Sequence, residues 1–376
     1  MRIDRVELYE LALPLVEPFV ISGGRMHERR SLVVRLDDGE GHSGWGEAPP
    51  FDRPFYSEET LASVRALLEQ LLIPRVEGHT FHDPEDIDTL LRSGVRGNPF
   101  ARAAIETAAW DMVAARAGVG LAALLAARLG VKAAERVPCG VALGIPPDRD
   151  SATLARWIRD AVAAGYRRIK IKVAPGWDEV PVAAARAALA GTALPLTVDA
   201  NGAYEWPLHE RPLRRLDEAE LLYIEQPLAP EELVGHADLA HALHTPICLD
   251  ETLRDASAAR QTLALDGPRI WNVKVHRVGG LTEVGRIQRL ATEAGVALWA
   301  GTMPESGLGS QAALAAAALP GFVYPSDLEP STRWFGPSAD VVELTMSADG
   351  WMAVPDRSIG TLLDAPRFAG AARRVR

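Results

Sequence analysis

Lysines and carboxylates recur near the ends of successive strand-like runs in the second half of this chain: Lys170 and Lys172, then Asp199, Glu225 and Asp250, then Lys274. The carboxylates fall 26 and 25 residues apart (199 to 225, 225 to 250), one strand-plus-helix repeat at each step. Such spacing brings side chains from different strands around one point. Three carboxylates gathered there would repel one another, so a cation is their economical partner. Oxygen-only ligation favours Mg2+ or Mn2+ over zinc. Asn201 and Glu251 lie close enough in sequence to join as further or outer ligands. Lysines on either flank would handle protons: the cation stabilises negative charge developing on a substrate carboxylate while an amine takes the α-proton. Cations crowded near a lysine lower its pKa toward the working pH, as a neutral base requires.

The elements that must hold these groups begin at about residue 137. Strand-like runs occupy 137–143, 168–173, 195–199, 221–225, 246–250, 270–274 and 297–301, with a weaker one at 321–325, and helical runs such as 151–164 and 281–294 fill the gaps. Repeated strand–helix units mean a parallel sheet, and eight of them suggest closure into a barrel. An open doubly wound sheet competes, but no G-x-G-x-x-G follows the first strand. In RRIKIKV, period-two alternation sets Ile169, Ile171 and Val173 toward the helices and Arg168, Lys170 and Lys172 toward the interior. Inward lysines are costly unless they face a polar site. Asp199, Glu225 and Asp250 each end an apolar run, where barrel enzymes place their chemistry. Counting strands from 137, Lys172 sits on the second and Lys274 on the sixth. In an eight-stranded barrel these are opposite, with the acids on the three strands between.

The first third reads as α+β. Runs 2–13 and 31–38 are strand-like, a helix spans about 58–74, and Pro99 opens a second helix to Ala117. The Gly-rich GHSGWGE lacks the Lys-Ser/Thr ending of a phosphate loop and reads as a turn. After 325 the repeat stops, and VVELTMSADGWMAV carries a hairpin signal around Asp349-Gly350 before the tail packs on the N-terminal module.

Composition excludes several classes. A net charge of −10 and a pI near 5.5 argue against nucleic acid as a main partner. No apolar run reaches the roughly 18–20 residues that cross a bilayer, and the charge-broken start lacks a signal-peptide core. A cytoplasmic protein with no membrane partner is therefore expected. Cys139 and Cys248 lie in apolar runs and read as buried free thiols. His236, His241 and His244 share one helical stretch and read as solvent-exposed, and His276 reads as a loop residue making one hydrogen bond.

Beyond this residue-level reading, the chain resembles the enolase superfamily in its muconate-lactonizing subgroup, and within it the o-succinylbenzoate synthase/N-acylamino acid racemase family. The stretches that carry the resemblance are YRRIKIKVAPGWD (166–178), VDANGAY (198–204), IEQPL (224–228), TPICLDET (245–252), NVK (272–274), RVGG (277–280) and MPESGLG (303–309), with EPF, GWGE and FYSEE in the first module. The resemblance implies a modified (β/α)8 (TIM-like) barrel under an α+β capping domain: residues 1–130 for the N-terminal cap, 131–328 for the barrel and 329–376 for a segment returning to the cap. It also implies Lys172 as base on one face, Lys274 as acid/base on the other, Lys170 against the substrate carboxylate, and Asp199, Glu225 and Asp250 on Mg2+. The activity implied is α-proton abstraction to a metal-stabilised enolate, by a synthase of menaquinone biosynthesis or a racemase. Muconate cycloisomerase and dipeptide epimerase use the same lysines, and a non-catalytic binding member is the remaining alternative. Ser22, Tyr56, Asn201, Thr302 and Met303 are the further substrate contacts implied, Ser22 and the 50–56 loop because capping loops close over such sites. The partner implied is a small-molecule carboxylate, and the assembly a homo-oligomer, dimer or octamer. Three positions depart from the pattern: Val275-His276 replaces Pro-Gly after Lys274, Ala142 replaces Ser, and Thr302 replaces Gly.

Overall fold

The computed structural model describes residues 1–21 and 24–376. Strands β1 (Arg5–Ile21), β2 (Gly24–Asp37) and β3 (Ser43–Ala48) pair antiparallel in that order. Alternation along them buries Val6, Leu8, Leu32, Val34 and Leu36 against Phe100, Ile105 and Met112 of the helix Pro99–Ala117. That helix starts with Pro99 at its first position and stops at Gly118, whose φ of +66° suits a residue without Cβ.

The stretch expected to be a turn, GHSGWGE, instead supplies β3. Its glycines let the strand lie directly on the helix. A Cβ on Gly44 would sit 2.0 Å from the Ala108 carbonyl oxygen, and one on Gly46 2.1 Å from that of Ala104. Gly44→Ala should therefore destabilise the protein by about 1–3 kcal/mol, as overpacking does, seen as a lower urea midpoint.

The rest of the chain is mostly parallel. After β4 (Arg136–Pro138) come β5 (Val141–Leu143), β6 (Ile169–Lys172), β7 (Leu196–Asp199), β8 (Ile224–Glu225), β9 (Ile247–Leu249), β10 (Ile270–Val273) and β11 (Ala297–Ala300), and β5 to β11 pair in chain order as one curled sheet. Helices between them cover its outer face. Residues 321–327 close the circuit without forming a regular strand. On one side Leu298 N donates to Gly321 O at 2.8 Å and Val323 N to Leu298 O at 2.9 Å; on the other Ser326 N donates to Pro138 O at 3.0 Å and Gly140 N to Ser326 O at 2.7 Å. The result is a modified (β/α)8 barrel beneath an α+β cap.

The hairpin expected around Asp349-Gly350 does not form. β12 (Trp351–Ala353) pairs antiparallel with β4 instead. The preceding run is not free to pair, because Val341 and Val342 are buried, Ser331 N donates to Leu344 O, and Asp364 N donates to Val341 O. The tail then reaches the cap. Phe368 packs edge-on against Tyr9 and Trp45, with centroids 5.1 Å apart in each pair, and β13 (Ala372–Arg374) adds to the edge of β1.

Both cysteines are buried and unpaired, and burial pushes the Cys139 thiol up to about 12. His236 is buried, not exposed. Its ring takes the Glu232 carbonyl at 2.7 Å and the Leu228 N–H at 3.3 Å, and burial lowers its pKa to about 4. Among the described residues no single helix is long and apolar enough to cross a membrane.

Candidate active site

Strand register builds the site. Lys172 pairs in register with Asp199, and Asp199 with Glu225, so three chemically active side chains stand in one row at the C-terminal ends of β6, β7 and β8. Asp250 follows β9 and Lys274 follows β10. The Gln226 side chain fixes the approach to Asp250: its Oε1 accepts from Asp250 N at 2.9 Å and Thr252 N at 3.2 Å.

Every acid in the row meets a base. Lys172 Nζ lies 2.5 Å from Asp199 Oδ2 and donates to Asn201 Oδ1 at 2.7 Å. Lys170 Nζ lies 3.0 Å from Glu225 Oε2 and 2.6 Å from Asp327 Oδ2. Lys274 Nζ donates to Asp250 Oδ2 and to the Tyr56 hydroxyl, each at 2.9 Å, and Arg277 pairs with the other oxygen of Asp250. Lysine and arginine thus neutralise the carboxylates directly. Accordingly, no three His, Cys, Asp or Glu side chains among the described residues are drawn together as a ready ligand cluster.

The donor chemistry nonetheless suits a hard cation. Among the described residues Glu251 Oε2 is buried without a hydrogen bond and Glu225 Oε2 meets only the Lys170 ammonium, and every candidate ligand offers oxygen. The site is strongly polarised. Burial works against the charge on Asp199, yet Lys172 and Lys170 hold its carboxyl below the ordinary value. Its neighbour Glu225 is pushed the other way, by burial and by Asp199 itself.

The chain's own side chains hold Lys274 and Lys170 in the charged form. Burial does oppose the Lys274 ammonium, but Tyr56 and the carboxylates Glu251 and Glu225 outweigh it and raise its pKa. Lys170 is likewise raised, its burial overcome by Asp327, Glu225 and Asp199. Acids outnumber the cations around these two amines, and that balance sets the sign.

Of the other expected contacts, Tyr56 reaches Lys274 as described, and Asn201 bridges Lys172 to Glu251, donating to it at 2.9 Å. Thr302 donates to the Asp327 carbonyl at 3.1 Å. Met303 turns into the core of the cap. Ser22 lies outside the described residues.

His276 is not on a loop. It sits in the helical turn Val275–Val278, 2% exposed, with Nε2 unpartnered among the described residues and Nδ1 4.0 Å from Glu305 Oε1. Burial, with Arg29 close by, lowers its pKa to about 3.

Sequence reasoning missed Asp327, which joins Lys170 to the wholly buried Arg168. It also missed Asn272, which donates to Glu225 Oε1 at 2.8 Å. Arg277 stood in plain view in the RVGG stretch, and three residues beyond Lys274 is one helical turn, a spacing that could have flagged it.

Known proteins resemble the chain along nearly its whole length. The N-terminal domain model of mandelate racemase/muconate lactonizing enzyme matches residues 5–126, and the enolase C-terminal domain-like model matches 153–362. An N-succinylamino acid racemase of Thermus thermophilus is 42% identical, covering 97% of this chain and 96% of its own length. An o-succinylbenzoate synthase of Geobacillus stearothermophilus is 39% identical, covering 95% and 92%. The crystal structure of an enolase-superfamily member from Listeria innocua superposes with a TM-score of 0.91 at 32% identity, over 99% of this chain and 98% of that one. With both domain models and nearly full-length relatives in accord, the chain belongs to the mandelate racemase/muconate lactonizing enzyme family of the enolase superfamily.

Proposed function

We propose that this protein is a Mg2+-dependent lyase or isomerase that removes the proton α to a substrate carboxylate, acting as an o-succinylbenzoate synthase, an N-acylamino acid racemase, or both. The observation that carries the reading is the placement of Lys172 at the end of β6 and Lys274 after β10, with three strand-end carboxylates between them. Relatives of both activities spanning almost the whole chain support it.

Asp199, Glu225 and Asp250 would hold the cation, which when bound supplies positive charge to the substrate's carboxylate oxygens. The other roles fall to the chain's own side chains. Lys172 Nζ takes the α-proton on one face. Lys170, kept an ammonium by Asp327 and Glu225, pairs with the substrate carboxylate. In dehydration Lys172 returns its proton to the departing hydroxyl, which leaves as water, while the Lys274 ammonium faces the developing negative charge. In racemisation Lys274 Nζ delivers a proton to the opposite face, and the two amines exchange roles for the other enantiomer.

The test is α-proton exchange in D2O, with N-succinylamino acids of both configurations, alongside dehydration of the synthase substrate. Exchange or dehydration that needs Mg2+ or Mn2+, stops on chelation and returns on re-addition is the expected result. Turnover indifferent to chelation, or none on any of these carboxylates with Mg2+ present, would overturn the reading.

A further inference from the structure

Arg29 occupies an unusual position for a cation. It is 3% exposed at the seam between cap and barrel, and among the described residues its hydrogen bonds all go to backbone carbonyls. On the cap side it donates to Pro49 O, to Pro50 O at 2.9 Å and to Arg30 O at 2.8 Å. On the barrel side it donates to Pro304 O at 3.0 Å and Met303 O at 3.2 Å. One planar, five-donor group therefore ties the start of the capping loop to the loop that follows β11.

A second bond between the same layers runs in the opposite sense. Glu47, on β3 of the cap, accepts from Ser306 N at 3.2 Å and Gly309 N at 3.0 Å, where the barrel helix Gly307–Ala317 begins. Cap cation on barrel carbonyls and cap anion on barrel N–H groups form a reciprocal staple. From Arg29 a continuous path then leads to the candidate chemistry. Its guanidinium carbon stands 4.8 Å from the centroid of the buried Phe51 ring. Phe51 meets Tyr56 edge-on at 6.3 Å. The Tyr56 ring lies 4.7 Å from Lys274 Nζ, and its hydroxyl accepts from that amine.

We infer that Arg29 is a positioning residue that holds the capping loop on the barrel, so that Tyr56 sets the place of the Lys274 amine. The inference rests on the proton-transfer roles proposed above for the two lysines. Arg29 touches neither lysine, and Lys172 takes its partners from β7 and the turn after it. Loss of Arg29 therefore acts on one of the two faces. Lysine cannot replace it, since a single ammonium cannot span carbonyls on two separate loops.

Two measurements on the full-length Mg2+-loaded protein test this, using Arg29→Met and Arg29→Lys. The first is amide hydrogen exchange. Faster exchange confined to residues 49–60 and 302–306, with β6 to β9 unchanged, is expected in both variants; unchanged rates there, or loosening of the whole cap, would overturn the inference. The second is α-proton exchange on each N-succinylamino acid enantiomer. The Lys274 face is identified as the one lost in Lys274→Ala. A drop on the order of 10²-fold on that face, the scale of a 1 Å misplacement, with the Lys172 face little changed, is expected. Equal losses on both faces would indicate a merely structural role and overturn the inference. The amide measurement needs no turnover, so wild-type protein that neither exchanges either enantiomer nor dehydrates the synthase substrate would refute the reaction reading, while the staple would stand or fall on the amide rates. Should Arg29→Met fail to fold, Arg29→Lys keeps the buried charge and carries both measurements.

Discussion

Lys172→Ala is expected to abolish dehydration, net racemisation and α-proton exchange on the Lys172 face while the folded structure persists. General-base catalysis contributes about 10²–10⁴-fold, so kcat should fall at least that far for any step Lys172 begins. The structure explains why stability should survive. The Lys172 side chain is 29% exposed, and its departure frees Asp199, which keeps Lys170 at 3.7 Å and the Asn201 N–H at 2.9 Å. Lys172→Arg is a sharper probe, because arginine keeps the charge beside Asp199 but cannot shed a proton near neutral pH. It should fold like the parent and fail as a base. Circular dichroism and urea unfolding, measured beside the D2O exchange assay, decide the matter. Either variant retaining near-parental exchange on the Lys172 face would remove Lys172 from the proposed role.

Asp250→Ala should fail differently, in stability as well as turnover. Asp250 is wholly buried and pairs with both Lys274 and Arg277. Its removal leaves two buried cations short of their carboxylate, and breaking a buried pair from one side costs about 3–5 kcal/mol. It also removes a proposed ligand. The parent should be stabilised by Mg2+, by about 2.7 kcal/mol at one hundred times the dissociation constant. Asp250→Ala should lose most of that gain. Unfolding with and without Mg2+ separates the two effects, and Asp266→Ala, at an exposed surface pair with Arg269, serves as the control with neither. A variant that folds and gains from Mg2+ as the parent does would exclude Asp250 as a ligand.

Particular residues show how far the chain's text could be read. The strand ends bearing Lys172, Asp199, Glu225 and Asp250 were legible because each closes an apolar run, and parallel pairing in chain order then aligns such ends of itself. Alternation in RRIKIKV likewise placed Arg168, Lys170 and Lys172 inside. Asp327 was obscure, since residues 321–327 follow no regular strand pattern and join their neighbours by scattered bridges. His236 was misjudged because one buried face of a helix with weak amphipathic pattern looks like an exposed one. The Asp349-Gly350 turn was legible, yet its two arms found partners from residues far away.

Local periodicity thus determined the barrel, its inward lysines and the row of acids, because side-chain direction along a strand follows from backbone geometry alone. Only the tertiary structure decided which charges meet. Asp327 on Lys170, Arg277 on Asp250, Tyr56 on Lys274 and Arg29 across the seam are contacts between segments separated by up to 275 residues. Electrostatic balance depends on distance in space and on burial, and neither is written in the order of residues along the chain.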